Sequence, residues 1–415
     1  MIPVDAHRAT VAALVPPPGT EDVPLTAAVG RVLASDVTAP IPLPPFTNSA
    51  MDGFAVRAAE ATAEATLPVV ADIPAGRTDS LTLTPGTAHR IMTGAMLPDG
   101  ADAIVPVEAT DSPRGASAPP ATVTFTESAT EGRFLRHAGS DVAAGDVALA
   151  AGTVVGPAQV GLASALGLAT VPARTRPHVL VLSTGSELVA PGEPLPHGRI
   201  YESNSVMLAA AVTAAGATAE VLRFVPDDPA HLRRELGERL DADGPAPVDL
   251  VVTSGGVSAG AYEVVREALA DRDFGEVEFV KVAMQPGMPQ GAGHVLSPGG
   301  RRVPIVTLPG NPVSALVSFE VFLRPPLRAA LGLPDRPSRT AELGSGIRSI
   351  PGKRQFVRAR LTPEDRNRNE SVIPVGEHGS HYLRWMASAD CLIDIAPQVV
   401  ALDPGTVVTV IPLAD

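Results

Sequence analysis

The sequence predicts a multidomain α/β plus β protein, with a central, mostly parallel α/β domain between a helical region carrying a β-rich insertion and a small C-terminal β domain. Three observations predict it. Strand-like and helix-like runs alternate from Arg176 to Leu333, β-prone pieces separated by Gly and Pro turns fill the stretch before about residue 140, and short strands with turns return from Ala341 to Asp415. At 415 residues the chain has room for about two to four domains with separate cores.

The elements follow in order. "DAHRATVAAL" and "LTAAVGRVLASDV" carry helical apolar spacing, and "APIPLPPF", Ala39 to Phe46, closes that segment. "LPVVADI", "ADAIVPVEA" and "ATVTFTE" are short β-prone pieces, and "TDSPRGASAPPA" reads as a mobile surface loop. "GPAQVGLASALG", Gly156 to Gly167, is helical again, with Pro157 suited to the first helical position. After the linker "VPARTRP" come the strands "HVLVLST", "ATAEVLRFV", "DLVVTS", "EVEFVKVAM" and "VPIVTLPG". Between and after them lie the helices "NSVMLAAAVTAAG", capped by Ser203 or Asn204, "DPAHLRRELGERL", "AYEVVREALA" and "PVSALVSFEVFLRPPL".

Composition narrows the function. Hydrophobic residues make up 45% and charged residues 19%, as in an ordinary folded protein. Lys plus Arg is 32 against 45 for Asp plus Glu, a formal charge of −13, and no basic tract is present, which argues against a nucleic-acid partner. The single cysteine, Cys391, excludes an internal disulfide and a multi-cysteine zinc site, and its apolar run "ADCLIDIA" reads as a buried strand. No run of about 18 apolar residues offers a membrane span, and "MIPVDAHRAT" lacks a signal-peptide pattern. The sequence reads as a cytosolic protein.

Ligands of open parallel sheets bind beyond the carboxyl ends of the strands. Three ends here are rich in glycine and hydroxyls. One holds Ser183, Thr184, Gly185 and Glu187, and another holds Thr253, Ser254, Gly255, Gly256 and Ser258. The third holds Pro309, Gly310, a capping Asn311 and Pro312 just before a helix. Backbone N–H groups and a helix N-terminus suit phosphate or another anion. Neither G-x-G-x-x-G nor G-x-x-x-x-G-K-[ST] occurs at these turns, which disfavours dinucleotide and P-loop sites. Glu187 and the pair Asp227 and Asp228 lie close in sequence to such turns, a usual magnesium environment once phosphate oxygens are added, whereas Asp249 reads as structural. The uncharged turn in "KVAMQPGMPQG" follows Lys281, one of only two lysines in the chain with Lys353.

"NSAMDGFAV", "RIMTGAMLPDGADAIVPVE", "RHAGSDVAAGD", "LSTGSELVAPGEPL", "TSGGVSAGAY" and "LPGNPVSAL" occur in this order. Together they resemble the molybdopterin molybdenumtransferase family, to which the E domain of gephyrin belongs, and the resemblance spans essentially the whole chain. It implies a helical domain of two segments (1–45 and 141–175), a β-rich insertion (46–140), an α/β molybdopterin-binding domain (176–333) and a C-terminal β-barrel (341–415). It also implies a cytoplasmic homodimer with intersubunit active sites, and substrates that are adenylylated molybdopterin and molybdate, used with Mg²⁺. Molybdopterin adenylyltransferase and molybdoenzymes are the further partners it implies.

By the same resemblance, Asp52, Thr93, Asp141 and Glu187 match polar positions associated with activity. Asp227 or Asp228 matches another, and Glu187 with Asp228 would hold magnesium. The turns Thr253–Ser258 and Pro309–Pro312 match those receiving nucleotide and pterin phosphates, and Ser183–Gly185, Pro286 and Gly287 join them. Ser258, Lys281, Arg354 and Ser380 match the molybdate pocket. Two departures stand out: Gln285 and Met288 occupy positions that are commonly lysine, and Ala261 one that is often Asp, with Glu263 two residues on. Two other readings stay open: a binding or scaffold paralogue without activity, motivated by those lost charges, and the sister adenylyltransferase, against which the flanking domains argue.

Overall fold

The computed structural model describes all residues except 114, 116–117, 223–227, 242–246, 257–263, 363–369, 378 and 415. The expectations for Asp227, Ser258, Ala261 and Glu263, and for part of the "TDSPRGASAPPA" loop, therefore concern residues outside those described. The chain forms two compact units, residues 1–20 with 174–415, and residues 21–173.

In the larger unit, α1 (Val4–Leu14) precedes an alternating series. The series runs β1 (His178–Ser183), α2 (Asn204–Ala214), β2 (Thr218–Val221), α3 (Pro229–Asp241), β3 (Leu250–Ser254) and α4 (Val264–Ala268). It continues with β4 (Gly275–Lys281), β5 (Met284–Gln285), β6 (Pro289–Leu296), β7 (Arg302–Leu308) and α5 (Pro312–Ser318). A π-helical turn, Phe319–Leu323, then leads into α6 (Arg324–Leu331). The main sheet has the order β2-β1-β3-β7-β6-β4. Its first four strands are parallel and the last two pairings antiparallel, so the mostly parallel sheet stands with an antiparallel edge.

The reason is visible in the burial. β3 is buried at every residue, as a strand covered on both faces must be. Val179, Val181 and Val252 face one core with Leu208 and Val212 of α2, while Leu180, Leu182 and Val251 face another with Leu232 and Leu236 of α3. In α3 the buried Leu232, Leu236 and Leu240 recur every four residues, which makes one apolar stripe.

After this sheet, β8 (Arg339–Leu343), β9 (Arg354–Thr362), β10 (Ser371–Pro374), β11 (Cys391–Ile395) and β12 (Val407–Pro412) close into a five-stranded barrel, because β9 pairs with both β10 and β11. Cys391 is fully buried inside it, and burial pushes its thiol pKa far up.

Three expectations are corrected. The uncharged turn after Lys281 does not end a parallel strand; it lies between the antiparallel β4 and β6, and within it β5 leaves the sheet to pair with β9 of the barrel. "LTAAVGRVLASDV" forms no α-helix: only Leu25–Ala27 makes a 3-10 turn, Gly30 takes φ 79°, and Val32 and Leu33 bridge to Val154 and Ala173. The linker "VPARTRP" contains a strand, Thr170–Arg174, paired with Thr20–Pro24. Helix α1 lies in the larger unit, where Val4 and Val11 share a core with the sheet.

In the smaller unit, a five-stranded sheet has the order Ala103–Pro106, Gly53–Val56, Ala88–Ile91, Thr66–Ile73, Thr122–Thr124, with Phe54 and Phe125 buried beneath it. The helix Pro157–Ala165 starts on the expected proline.

Candidate functional site

The three strand-end turns meet. β1, β3 and β7 are neighbours in the sheet, and their ends carry Ser183–Gly185, Thr253–Gly256 and Pro309–Pro312. Gly255 and Gly256 take φ of 95° and 65°, and a Cβ on either would come within 2.9 Å of neighbouring backbone, Thr184 O or Val265 N. Only glycine fits both constraints. A Cβ on Gly310 would lie 3.3 Å from Gly255 Cα, so the second and third turns are in contact.

Side chains lock this arrangement. Asn204 Nδ2 donates to Ser254 Oγ at 2.8 Å and to Gly310 O at 2.7 Å, and Ser254 Oγ donates to Pro309 O at 3.1 Å. Glu202, only 4% exposed, accepts from Ser183 Oγ at 2.8 Å and from the N–H and Oγ of Ser205, each at 2.7 Å. Sequence reasoning missed Glu202 and took Ser203 or Asn204 as a cap. The structure makes Ser203 the N-cap position with no side-chain cap bond, and Glu202 accepts the Ser205 N–H instead. Asn311 likewise occupies its N-cap position without a side-chain cap, and the Val313 N–H goes to Ser380 O at 3.2 Å.

The acids separate. Glu187 is exposed, and its carboxylate folds back over Gly185, where a Cβ would lie 2.7 Å from Oε2. Asp228 Oδ1 accepts the N–H groups of Ala230 and His231 at 2.9 and 3.2 Å, so that oxygen caps α3. Asp249 is structural: its Oδ2 accepts the His178 N–H at 2.8 Å. Among the described residues no group of three His, Cys, Asp or Glu is placed to hold a metal ion. Mg²⁺ needs fewer, since it takes one or two carboxylates with phosphate oxygens and water. Glu187 fits that demand; Asp228 offers only the oxygen left over from capping.

Asp52, Thr93 and Asp141 lie in the smaller unit. Asp52 Oδ1 accepts the Thr93 N–H at 2.6 Å and Thr93 Oγ1 at 2.7 Å, and these bonds hold its carboxyl below the usual carboxylate range. Asp141 is exposed on another turn, where its N–H is donated to Leu43 O.

A cavity of about 170 Å³ opens where β5 meets the barrel. Gln285, Pro286, Val313, Arg358 and Ser380 line it, and neither Lys281 nor Arg354 does. Lys281 is exposed at the end of β4. Gly287 is buried beside Ser318, and Gln290 Nε2 bonds Gly287 O and Ser318 Oγ at 2.7 Å each.

Arg354 is bound to Asp394 by two bonds of 2.7 and 2.6 Å and to Asp5 at 3.1 Å, and lines a separate hollow of about 430 Å³. The buried cation of the first cavity is Arg358, 7% exposed, which sequence reasoning passed over. It donates to the carbonyls of Tyr382, at 3.0 Å, and Glu377, and meets no carboxylate among the described residues. Burial lowers its pKa from the usual arginine value. A buried guanidinium held only by carbonyls keeps its full charge for an anion.

Comparisons with known proteins show the family along nearly the whole chain. Residues 2–167 match the family described as MoeA N-terminal region (domain I and II). Residues 180–329 match a probable molybdopterin binding domain, and residues 340–413 the MoeA C-terminal region (domain IV). The chain is 54% identical to molybdopterin molybdenumtransferase 2 of Mycobacterium tuberculosis, over 97% of each chain. It is 36% identical to molybdopterin molybdenumtransferase 1 of the same organism, over 99% of each. A molybdopterin biosynthesis MoeA protein from Pyrococcus horikosii superposes with a TM-score of 0.81 at 30% identity, covering 99% of this chain and 98% of that one.

Proposed function

Since the chain belongs to the MoeA family of molybdopterin molybdenumtransferases, we propose that it transfers molybdenum from molybdate to adenylylated molybdopterin, cleaves the pyrophosphate link and releases AMP. The observation that carries the finer reading is that one unit holds both halves of such a site: three touching turns suited to phosphates, and a cavity, lined also by Glu377, whose buried Arg358 bonds carbonyls and no carboxylate among the described residues.

The residues divide the work. The turns at Ser183–Gly185, Thr253–Gly256 and Pro309–Pro312 bind the phosphates and orient the nucleotide-capped pterin through backbone N–H groups, as positioning alone supplies much of phosphoryl-transfer catalysis. Arg358 and Ser380 hold molybdate, with the Gln285 amide as a neutral neighbour; an amide binds an oxyanion without adding charge. Glu187 would hold magnesium, which when bound neutralises the pyrophosphate. Asp52 with Thr93, and Asp141, are the candidate groups of the smaller unit.

The reading includes a cytosolic homodimer whose sites draw on both subunits and the four-domain division expected from the sequence. The exposed Leu195, Ile200, Tyr201 and Val206 support self-association by offering apolar surface for a second copy to cover. Among the described residues no helix is long and apolar enough to cross a membrane.

The test is direct: adenylylated molybdopterin, molybdate and Mg²⁺ should yield AMP and active cofactor, and absence of AMP under every condition overturns the activity. The binding-only reading rested on the charges missing at Gln285, Met288 and Ala261. Arg358 argues against it by offering a cation from the barrel. The adenylyltransferase reading is disfavoured because both flanking regions match MoeA regions.

A further inference from the structure

One tetrapeptide touches all three binding turns. Glu202 takes the Ser183 hydroxyl at the end of β1 and fastens it to the start of α2 through Ser205. Two residues on, Asn204 reaches the end of β3 through Ser254 Oγ and the turn after β7 through Gly310 O. Ser254 Oγ spends its own proton on Pro309 O, so the second and third turns are joined twice. Glu202, Ser183, Ser205 and Ser254 are each at most 4% exposed, where hydrogen bonds are strong and unmade ones costly. The Thr184 hydroxyl beneath Gly255 and Gly256 has no partner among the described residues, while the Thr184 N–H donates to Ser254 O at 3.2 Å and adds to the sheet ladder between the first two turns.

We propose that Glu202–Ser205 is a clip that presets the spacing of the three turns, which makes Asn204 and Glu202 positioning residues for the transfer reaction. This rests on the reading of the turns as the phosphate and nucleotide site. A nucleotide reaches more than one turn with its phosphate and its nucleoside, so a change in spacing lowers its affinity even when each turn keeps its own donors. Arg358 and its cavity lie on a different part of the unit, with no clip residue among the lining, and should not respond.

Asn204→Asp is the informative substitution. It keeps the volume but presents a carboxylate oxygen to Gly310 O and to a hydroxyl whose proton is already donated. AMP affinity measured by calorimetry should fall about tenfold or more, since each lost bond is worth about 1 kcal/mol or more and 1.4 kcal/mol is tenfold. KM for adenylylated molybdopterin should rise in parallel, while molybdate affinity stays within twofold. Glu202→Gln, which retains one acceptor oxygen, should give a smaller loss of the same kind and serves if the first variant does not fold. AMP affinity and KM unchanged in both variants overturn the clip while wild-type turnover leaves the function standing. Equal losses of AMP and molybdate binding with a fallen melting temperature overturn it too, by showing a merely structural role. A wild-type protein that binds no AMP overturns clip and site together.

Discussion

Arg354 and Arg358 stand four residues apart on the same face of β9, yet the first is held by the carboxylates of Asp394 and Asp5 and the second by backbone carbonyls. On the proposed reading the twice-paired Arg354 is a structural tie, and Arg358, which bonds no carboxylate among the described residues, is the anion receptor. The variants should separate accordingly. Arg358→Ala should weaken molybdate binding by on the order of 10- to 100-fold, since a charged hydrogen bond contributes about 1.5–3 kcal/mol. Arg354→Ala should leave that affinity alone and lower stability by roughly 1–2 kcal/mol, a discounted value because the pair is partly exposed. Calorimetry with molybdate and urea unfolding decide between them. Loss of molybdate binding in Arg354→Ala alone would return the site to the position first read from the sequence.

His7 gives the protein an acid-sensitive anchor. Its ring stands edge-on to Phe322, with centroids 4.7 Å apart at 83°, its Nε2 has no partner among the described residues, and burial lowers its pKa to about 4. The unfolded chain takes up this proton near pH 6.5, so between pH 6.5 and 4 it binds more protons than the folded one. Stability from this residue is full above pH 6.5 and is lost as pH falls toward 4, by about 3 kcal/mol in all. The urea midpoint should drop across that window in the native sequence. In His7→Leu, which fills the site without a proton to bind, most of that slope should vanish.

Asp52 owes its low pKa first to the Thr93 backbone N–H and second to the Thr93 hydroxyl. Thr93→Val removes only the hydroxyl bond. The Asp52 carboxyl, followed by NMR titration, should therefore rise toward the ordinary carboxylate value without reaching it. An unchanged midpoint would mean that the hydroxyl does not face the carboxylate in solution.

Most of the sheet was legible because buried parallel strands are written as short, Val- and Leu-rich runs such as "HVLVLS" and "LVVTS". β6 was not. Its sequence "PQGAGHVL" reads as a turn, yet Gly291 and Gly293 are there because the neighbours press close: a Cβ on Gly293 would lie 2.0 Å from Glu276 O. The helical spacing of "LTAAVGRVLASDV" was outweighed by bridges to strands over a hundred residues away, which no local pattern records. In the site, glycine and hydroxyl turns announced themselves. Which of two arginines in one alternating run meets a carboxylate, and that Glu202 rather than its neighbours serves the start of α2, depend on contacts from distant segments.

Glu187 is where sequence and structure leave the clearest chemical claim. The backbone around it is held independently of its side chain, since the Leu188 N–H closes onto Gly185 O and the Ile200 N–H bonds Glu187 O. Its carboxylate is exposed and makes no hydrogen bond among the described residues, so no packing or folding role competes for it. Glu187→Ala should therefore unfold like the native chain and bind AMP within about twofold. Turnover should fall on the order of 10²-fold or more if the carboxylate acts on the pyrophosphate with magnesium. Glu187→Gln separates charge from size: an amide is a poor magnesium ligand, so it should be as slow as alanine and should need more magnesium for any residual rate. Turnover near the native rate in both variants would remove Glu187 from the chemistry and leave the acid's role to the smaller unit's Asp52 or Asp141.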